Sequence, residues 1–321
     1  MVSRSLLLLL ALKQALLSLC FHSLKSNNFR NRASLRLGSV SEEDIELANR
    51  AIEEENLMRS APQSLLVQMK GATSTSLTNE LKSNGVARID RVISTDTCKE
   101  LLEFVQMELA SSLESIERKE LEVESIFSSS LSAGKRWDFK LPQSDIVFSA
   151  LKILLKEGSL VGDTLIALLG PDAELFELAA FVTVKGAGRQ VMHSDTLWSK
   201  LPCLFTCTLA LQDVTPEMGP TVFIPASHTR EVHRVFDNSK KVNSFLQSTP
   251  HVLSALSTGS VAIYDSRTLH CGGANRADQP RVLMYFTFTN PAGMRDDSDS
   301  WNVASIRAEN KGAFRLNDFR K

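Results

Sequence analysis

The sequence predicts an α+β protein, with helices in its first half and a sandwich or barrel of strands in its second. Three observations carry this reading. Capped runs with helical apolar spacing lie between residues 42 and 169. From about residue 176 the pattern changes to apolar strands separated by Gly, Pro and Asp turns. The composition, 321 residues with 43% hydrophobic and 23% charged, is that of a globular chain long enough to bury a sizeable core. With 36 basic against 37 acidic residues the net charge is −1, so no general pull draws the chain to nucleic acid or an anionic membrane. Ten Pro and 15 Gly are too few for a fibrous chain, and five Cys without repeating spacing make no disulfide framework. An enzyme or a binding domain remains.

Residues 1–41 carry Arg4, Lys13, Lys25, Arg30, Arg32 and Arg36 and no acid. Their apolar runs, Leu6–Leu12 and Ala15–Phe21, are broken by Lys13 and Gln14, and a membrane span needs roughly 20 residues. A basic, Ser- and Asn-rich stretch follows from Ser23 to Ser39, and the whole reads as a targeting presequence outside the fold. It resembles the bipartite presequences of algae with complex plastids, with Phe21 in place of their cleavage-point aromatic. A mitochondrial presequence and a secretory signal are the competing destinations.

From Ser41 acids dominate. Ser41 and Asp44 form a capping-box-like start, and Ile45, Ala48 and Ile52 keep helical spacing, so 42–59 is expected to be a helix with a solvated acidic face. Residues 60–80, rich in Ser, Thr and Gln, read as a linker. The globular domain is expected to begin near residue 80, with an Asn84-Gly85 turn and a strand Val86–Ile89. Ser94 and Asp96 offer caps for a helix to about Glu117, with Leu101, Leu102, Val105 and Leu109 on its apolar face. Helices follow over 146–156 and 159–169, the latter stopped by Gly170-Pro171. Strands are expected at 176–184, 203–212, 221–224, 260–264 and 281–289. The domain would end near 295, leaving 296–321 as a C-terminal tail.

The strands carry the chemistry. His193 and Asp195 stand at i and i+2, so on extended backbone they project to one face. Imidazole and carboxylate together suit Fe(II), Mn(II) or Zn(II), and a third ligand would complete a 2-His-1-carboxylate set. A lone His-x-Asp is more often a surface turn. Here, however, a Gly-entered apolar strand, Gly259–Asp265, leads to His270, and Arg281 follows eleven residues later. Period-2 reading of Arg281–Thr289 sends Val282, Met284, Phe286 and Phe288 outward to helices and leaves Arg281 on the interior face. A buried Arg needs an anionic partner, either a small dicarboxylate gripped bidentately or a protein carboxylate.

Taken together, these residues resemble the phytanoyl-CoA dioxygenase (PhyH)-like Fe(II)/2-oxoglutarate oxygenases over about residues 80–290. Lys82–Asp90 with Ile93-Ser94 is similar to that family's first strand and helix, and Gln190–Asp195 to its first metal motif. Leu209–Pro220 with Phe223–His228 resembles its middle signature; Gly259–His270, Asn275 and Arg281 resemble its distal His and cosubstrate Arg. The resemblance implies a double-stranded β-helix, a jelly-roll of the cupin kind, with N-terminal helices packed on one side. It implies Fe(II) on His193, Asp195 and His270, 2-oxoglutarate clamped by Arg281, and O₂ as oxidant, giving succinate, CO₂ and a hydroxylated small organic substrate. Lipids, acyl thioesters and specialised metabolites are the substrate classes it suggests. Related halogenases lack the carboxylate, so Asp195 argues for a hydroxylase or desaturase.

Two departures stand out. Ala226 occupies the family's usual turn Gly, and Gly272 stands where some members place a Ser toward the cosubstrate. Gln190 and Trp198, flanking the metal motif, and Thr208, on the inner face of 203–212 with Thr206, Ala210 and Gln212, are further candidates for cosubstrate contact. Tyr264 and Tyr285 are possible partners in the pocket. His228 reads as part of a turn, His233 and His251 as surface residues. Zinc at Cys203 and Cys207 is disfavoured because no second pair matches them. The competing function is a non-catalytic or differently metallated β-helix that binds a ligand; loss of His193, Asp195, His270 or Arg281 would have favoured it.

Overall fold

The computed structural model describes residues 42–128, 135–290 and 304–321; residues 1–41, read from the sequence as a targeting presequence, lie outside them. In chain order the main elements are α1 (Glu42–Met58), β1 (Gln63–Leu65), α2 (Ser74–Asn84), β2 (Val86–Ile89), α3 (Thr95–Glu117) and α4 (Val123–Ile126). Then come β3 (Arg136–Lys140), α5 (Asp145–Leu155), α6 (Leu160–Leu169), β4 (Glu174–Thr183), β5 (Leu204–Ala210) and β6 (Thr221–Phe223). The last are α7 (Arg230–Phe236), α8 (Val242–Ser248), β7 (His251–Leu253), β8 (Val261–Asp265), β9 (His270–Gly272) and β10 (Arg281–Thr289).

A six-stranded sheet, ordered β2-β8-β5-β10-β4-β3, faces a four-stranded one, β1-β7-β6-β9. The fold is a double-stranded β-helix. Val282, Met284, Phe286 and Phe288 of β10 share one apolar core with Leu77 and Leu81 of α2, Leu101 and Val105 of α3, Leu151 of α5 and Leu165 of α6. The opposite face of β10 looks inward: Leu283 packs with Tyr264 and, from the facing sheet, Phe223. The alternation expected for this strand is therefore realised, and it leaves the barrel interior to Arg281, Tyr285 and Thr287. No helix among the described residues is long and apolar enough to cross a membrane.

Turn chemistry sets several boundaries. Gly85 ends α2 in the left-handed region (φ 74°), and the Ser94 hydroxyl accepts the Thr97 N–H at the start of α3. Ala226 also lies there, at φ 58°, which costs about 1 kcal/mol where Gly would cost nothing.

Several expectations need correction. Residues 60–80 are not a linker. Gln63–Leu65 pairs in parallel with His251–Leu253, and the Ser/Thr richness near residue 74 is a capping box in which the Thr73 and Ser76 side chains satisfy each other's backbone N–H groups. The face of α1 is inverted: Ile45 and Ile52 are exposed, whereas Ala51, Glu54 and Met58 are buried. Residues 304–321, read as a tail, place Ile306, Leu316 and Phe319 in the main core. His233 and His251 are buried rather than surface residues, bonded to the Arg267 carbonyl (2.8 Å) and the Gln63 side chain (3.2 Å). Strand β3 escaped the sequence reading because Arg136 and Asp138 alternate with Trp137 and Phe139, an inverted pattern that only a polar barrel interior explains.

Candidate metal centre

Two extended segments bring the ligands together. His193 and His270 form an antiparallel bridge, exchanging backbone N–H···O bonds of 3.0 and 2.7 Å. The Asp195 N–H donates to the Ser266 carbonyl (2.8 Å), which turns its carboxylate to the same side. His193 Nε2 lies 3.8 Å and His270 Nε2 3.5 Å from Asp195 Oδ1, and the three ligand atoms lie within 4.8 Å of one another.

Both imidazoles are held in one tautomer. His193 Nδ1–H donates to the Val191 carbonyl and His270 Nδ1–H to that of Thr268, each at 2.9 Å. Each Nε2 lone pair is thereby free to face the other and Asp195, the arrangement a metal requires. Desolvation, and then the neighbouring His270, hold His193 below the ordinary imidazole range, so its ring is neutral and competent to ligate near neutral pH. Two imidazoles and one carboxylate on one side of a cavity fit Fe(II) with open coordination positions.

That cavity, about 130 Å³, is lined by the triad together with Arg281, Gln190, Thr208, Tyr264 and Tyr285. Trp198 is not among its lining residues. Beyond Asp195 the chain is tied to Ser266 and leads away from the cavity, leaving the indole under the Arg230 guanidinium at 5.4 Å. His228 is structural, its Nε2 against the Lys82 carbonyl at 3.0 Å. A larger cavity, about 230 Å³, lies against α1 and contains none of the triad.

Arg281 is 2% exposed, and among the described residues its side chain makes one hydrogen bond, a long one of 3.3 Å from Nη2 to Thr183 Oγ1, with no partner for Nε or Nη1. Among the described residues no carboxylate forms an ion pair with it. Burial, then the nearby Arg136, push the guanidinium down to about 9. A buried cation with two idle donors is a receptor for an anion.

Arg136 is the residue that sequence reasoning missed. It pairs in register with Thr183 from the other side, so the two arginines flank that threonine across three strands. Its Nη2 donates to the Gly188 and Gly273 carbonyls (2.9 and 3.1 Å), its Nη1 reaches Gln190 Oε1 (3.4 Å), and Nε has no partner. Gln190 Oε1 also accepts the Gly272 N–H at 2.8 Å. This explains Gly272: a Cβ there would collide with Arg136 Nη1 and the Gln190 side-chain oxygen. Gly272→Ala is expected to cost about 1–3 kcal/mol and to weaken anion binding, read by denaturant unfolding and cosubstrate titration. Unchanged values in both would show that Arg136 yields freely.

Two acids also face the interior. Asp138 accepts from the hydroxyls of Tyr285 (2.7 Å), Ser128 (2.6 Å) and Ser305 (2.7 Å), and Glu177 from Thr287 (2.5 Å). Burial pushes Glu177 up to about 8, against the opposing Thr287 bond. A carboxyl raised on folding carries no penalty at low pH and loses stability as pH climbs from its unfolded value toward its folded one. Glu177→Gln in the metal-free protein should therefore leave the Tm unchanged at pH 4 and raise it at pH 8. Equal shifts at both pH values would show that ionisation is not the cause. An acid inside the otherwise apolar Leu175–Val182 run was the available sequence signal.

Comparisons with known proteins agree with this geometry. The family model for phytanoyl-CoA dioxygenase (PhyH) matches residues 81–283. A methylphosphonate hydroxylase from Gimesia maris is 24% identical over 141 residues, 44% of this chain; the match spans 54% of that relative's length. Among solved structures, the non-heme alpha ketoglutarate dependent epimerase SnoN from nogalamycin biosynthesis superposes with a TM-score of 0.52 at 20% identity, covering 73% of this chain and 90% of that one. The same enzyme solved with Fe3+, alpha ketoglutarate and nogalamycin RO gives the same score and identity, covering 73% of this chain and 93% of that one. With the family model matched across both metal-bearing segments and Arg281, the chain belongs to the phytanoyl-CoA dioxygenase (PhyH) family of Fe(II)- and 2-oxoglutarate-dependent enzymes.

Proposed function

We propose that the protein is a dioxygenase that hydroxylates a small organic molecule with release of succinate and CO₂. The observation that carries this is one cavity holding both a His₂-Asp triad and the idle guanidinium of Arg281. His193, Asp195 and His270 would hold the iron, which, when bound, supplies the redox chemistry coupling oxidative decarboxylation of 2-oxoglutarate by O₂ to C–H hydroxylation. Arg281 takes the far carboxylate of the cosubstrate through its planar fork, with Arg136, Gln190 and Thr208 in the surrounding wall. Phe223 and Tyr264 pack against the His270 ring (centroids 5.7 and 4.9 Å) and shield it from water. The methylphosphonate hydroxylase among the relatives supports hydroxylation. A lipid, an acyl thioester or a specialised metabolite is the substrate class we favour.

The test is an anaerobic visible-absorption titration of the metal-stripped chain with Fe(II) and then 2-oxoglutarate, followed by O₂ and a succinate assay. A charge-transfer band requiring both additions, with succinate on aeration, is the expected result. Iron binding without the band would overturn the cosubstrate reading. No iron binding would favour a non-catalytic ligand-binding barrel.

A further inference from the structure

Helix α1 lies wholly before the family-matched segment, which begins at residue 81, yet it contacts the segment that carries His193. Its Glu54 is 4% exposed, although this helix leaves Ile45, Leu47 and Ile52 in solvent. A helix that turns a carboxylate inward and isoleucines outward is not packed for apolar burial alone. Burying the carboxylate is unfavourable unless donors meet it. Three do: the Met192 backbone N–H at 2.6 Å on Oε2, Arg50 Nε at 3.1 Å on Oε1, and Arg189 Nη1 as an ion pair at 3.6 Å.

Met192 immediately precedes His193. Along this tripeptide the Val191 carbonyl accepts from the His193 ring, and the His193 backbone exchanges bonds with His270. The Met192 side chain packs beside Met58 of α1. The Met192 N–H, the backbone donor next to His193, is the one Glu54 takes. Arg189, at the head of the same segment, also donates to the Ala51 carbonyl (3.4 Å) and Met58 Sδ (2.9 Å). An apolar residue at position 54 would strand the Met192 N–H beside His193 and take the ion pair from Arg189, which would keep only its contacts to Ala51 and Met58.

We propose that Glu54 is a positioning residue for the metal centre: its buried carboxylate, through Met192 N–H and Arg189, holds the backbone that aims His193 at the metal. This rests on the reading of His193, Asp195 and His270 as the iron site. Nearby Glu55 pairs with exposed Arg276 (2.7 Å) and has no hydrogen bond or ion pair to the 189–193 segment among the described residues, so it serves as the control.

The experiment uses the full chain under anaerobic conditions, with Glu54→Leu, Glu54→Gln and Glu55→Gln compared with wild type. Fe(II) affinity is measured by metal competition, together with the position of the Fe(II)·2-oxoglutarate band and thermal unfolding without metal. Glu54→Leu should weaken Fe(II) binding by about 10–100-fold, the range for residues that orient metal ligands, and move the band. Glu54→Gln, whose amide oxygen still accepts from Met192, should recover most of the affinity, and Glu55→Gln should match wild type. Should Glu54→Leu fail to fold, Glu54→Asp, one methylene short of Met192, replaces it with the same expectation. Wild-type affinity and band in the folded Leu or Asp variant would overturn the proposal, as would an equal loss in Glu55→Gln. If wild type itself binds no iron, the metal-centre reading falls and takes this inference with it.

Discussion

Asp195→Ala is expected to lower Fe(II) affinity by about two to four orders of magnitude while leaving the fold intact. Asp195 is the single anion of the triad, with its Oδ1 3.8 and 3.5 Å from the two imidazole nitrogens. Imidazoles ligate as neutral rings, so Asp195 is the ligand that offsets the charge of the metal. Removing the partner of a charge costs about 3–5 kcal/mol, and each 1.4 kcal/mol is about tenfold in binding. The fold should persist because the local chain path is set by backbone bonds: Asp195 N–H to Ser266, and His193 with His270. Metal competition and a thermal melt on the same sample separate the two effects. Retained wild-type affinity would mean that another acid of the cavity, Asp138 or Glu177, replaces Asp195.

Arg281→Met should change stability and cosubstrate binding in opposite directions. In the ligand-free protein the guanidinium is buried with Nε and Nη1 unpaired and with Arg136 nearby, so a methionine of similar volume removes an uncompensated charge. Such replacements are neutral or stabilising by about 1–4 kcal/mol. The same change removes the fork that would grip a carboxylate, a loss of about 2–5 kcal/mol, or some 30-fold to several-thousand-fold in 2-oxoglutarate affinity. Wild type, but not the variant, should then gain Tm when the cosubstrate is added with metal. Arg281→Lys should not restore affinity, since a point charge cannot offer two parallel donors. A variant that melts lower without ligand yet still binds 2-oxoglutarate would assign Arg281 a structural role and move the carboxylate to Arg136.

How far the sequence could be read depended on whether a signal was local. Val86–Ile89 and Arg281–Thr289 match their expected bounds, and the Ser94 cap and Gly170 stop act where expected, because alternation, caps and turn glycines act within a few residues. His193, Asp195, His270 and Arg281 were visible as residue types at characteristic separations, and the fold brings all four to one cavity. What escaped was written in the inverse pattern. The strand at Arg136–Lys140 turns Arg136 and Asp138 inward, and the helix at Glu42–Met58 buries a glutamate while exposing isoleucines. Trp198 looked like a pocket residue by proximity in sequence, but backbone bonds to Ser266 lead the chain away from the cavity.

The sequence by itself determined the α+β order, the outward face of the last strand and the pairing of His193 with Asp195 on one face, since each follows from spacing along one segment; His270 joined that pair as a candidate ligand through the family resemblance. Only the tertiary structure decided that Arg136 stands beside Arg281, that Gly272 is glycine to make room for it, and that Glu54 reaches Met192. Those three depend on strands and a helix from distant parts of the chain meeting around one polar interior. There a charge is tolerated only where a donor or acceptor from another element faces it, and no periodicity along a single segment can report that.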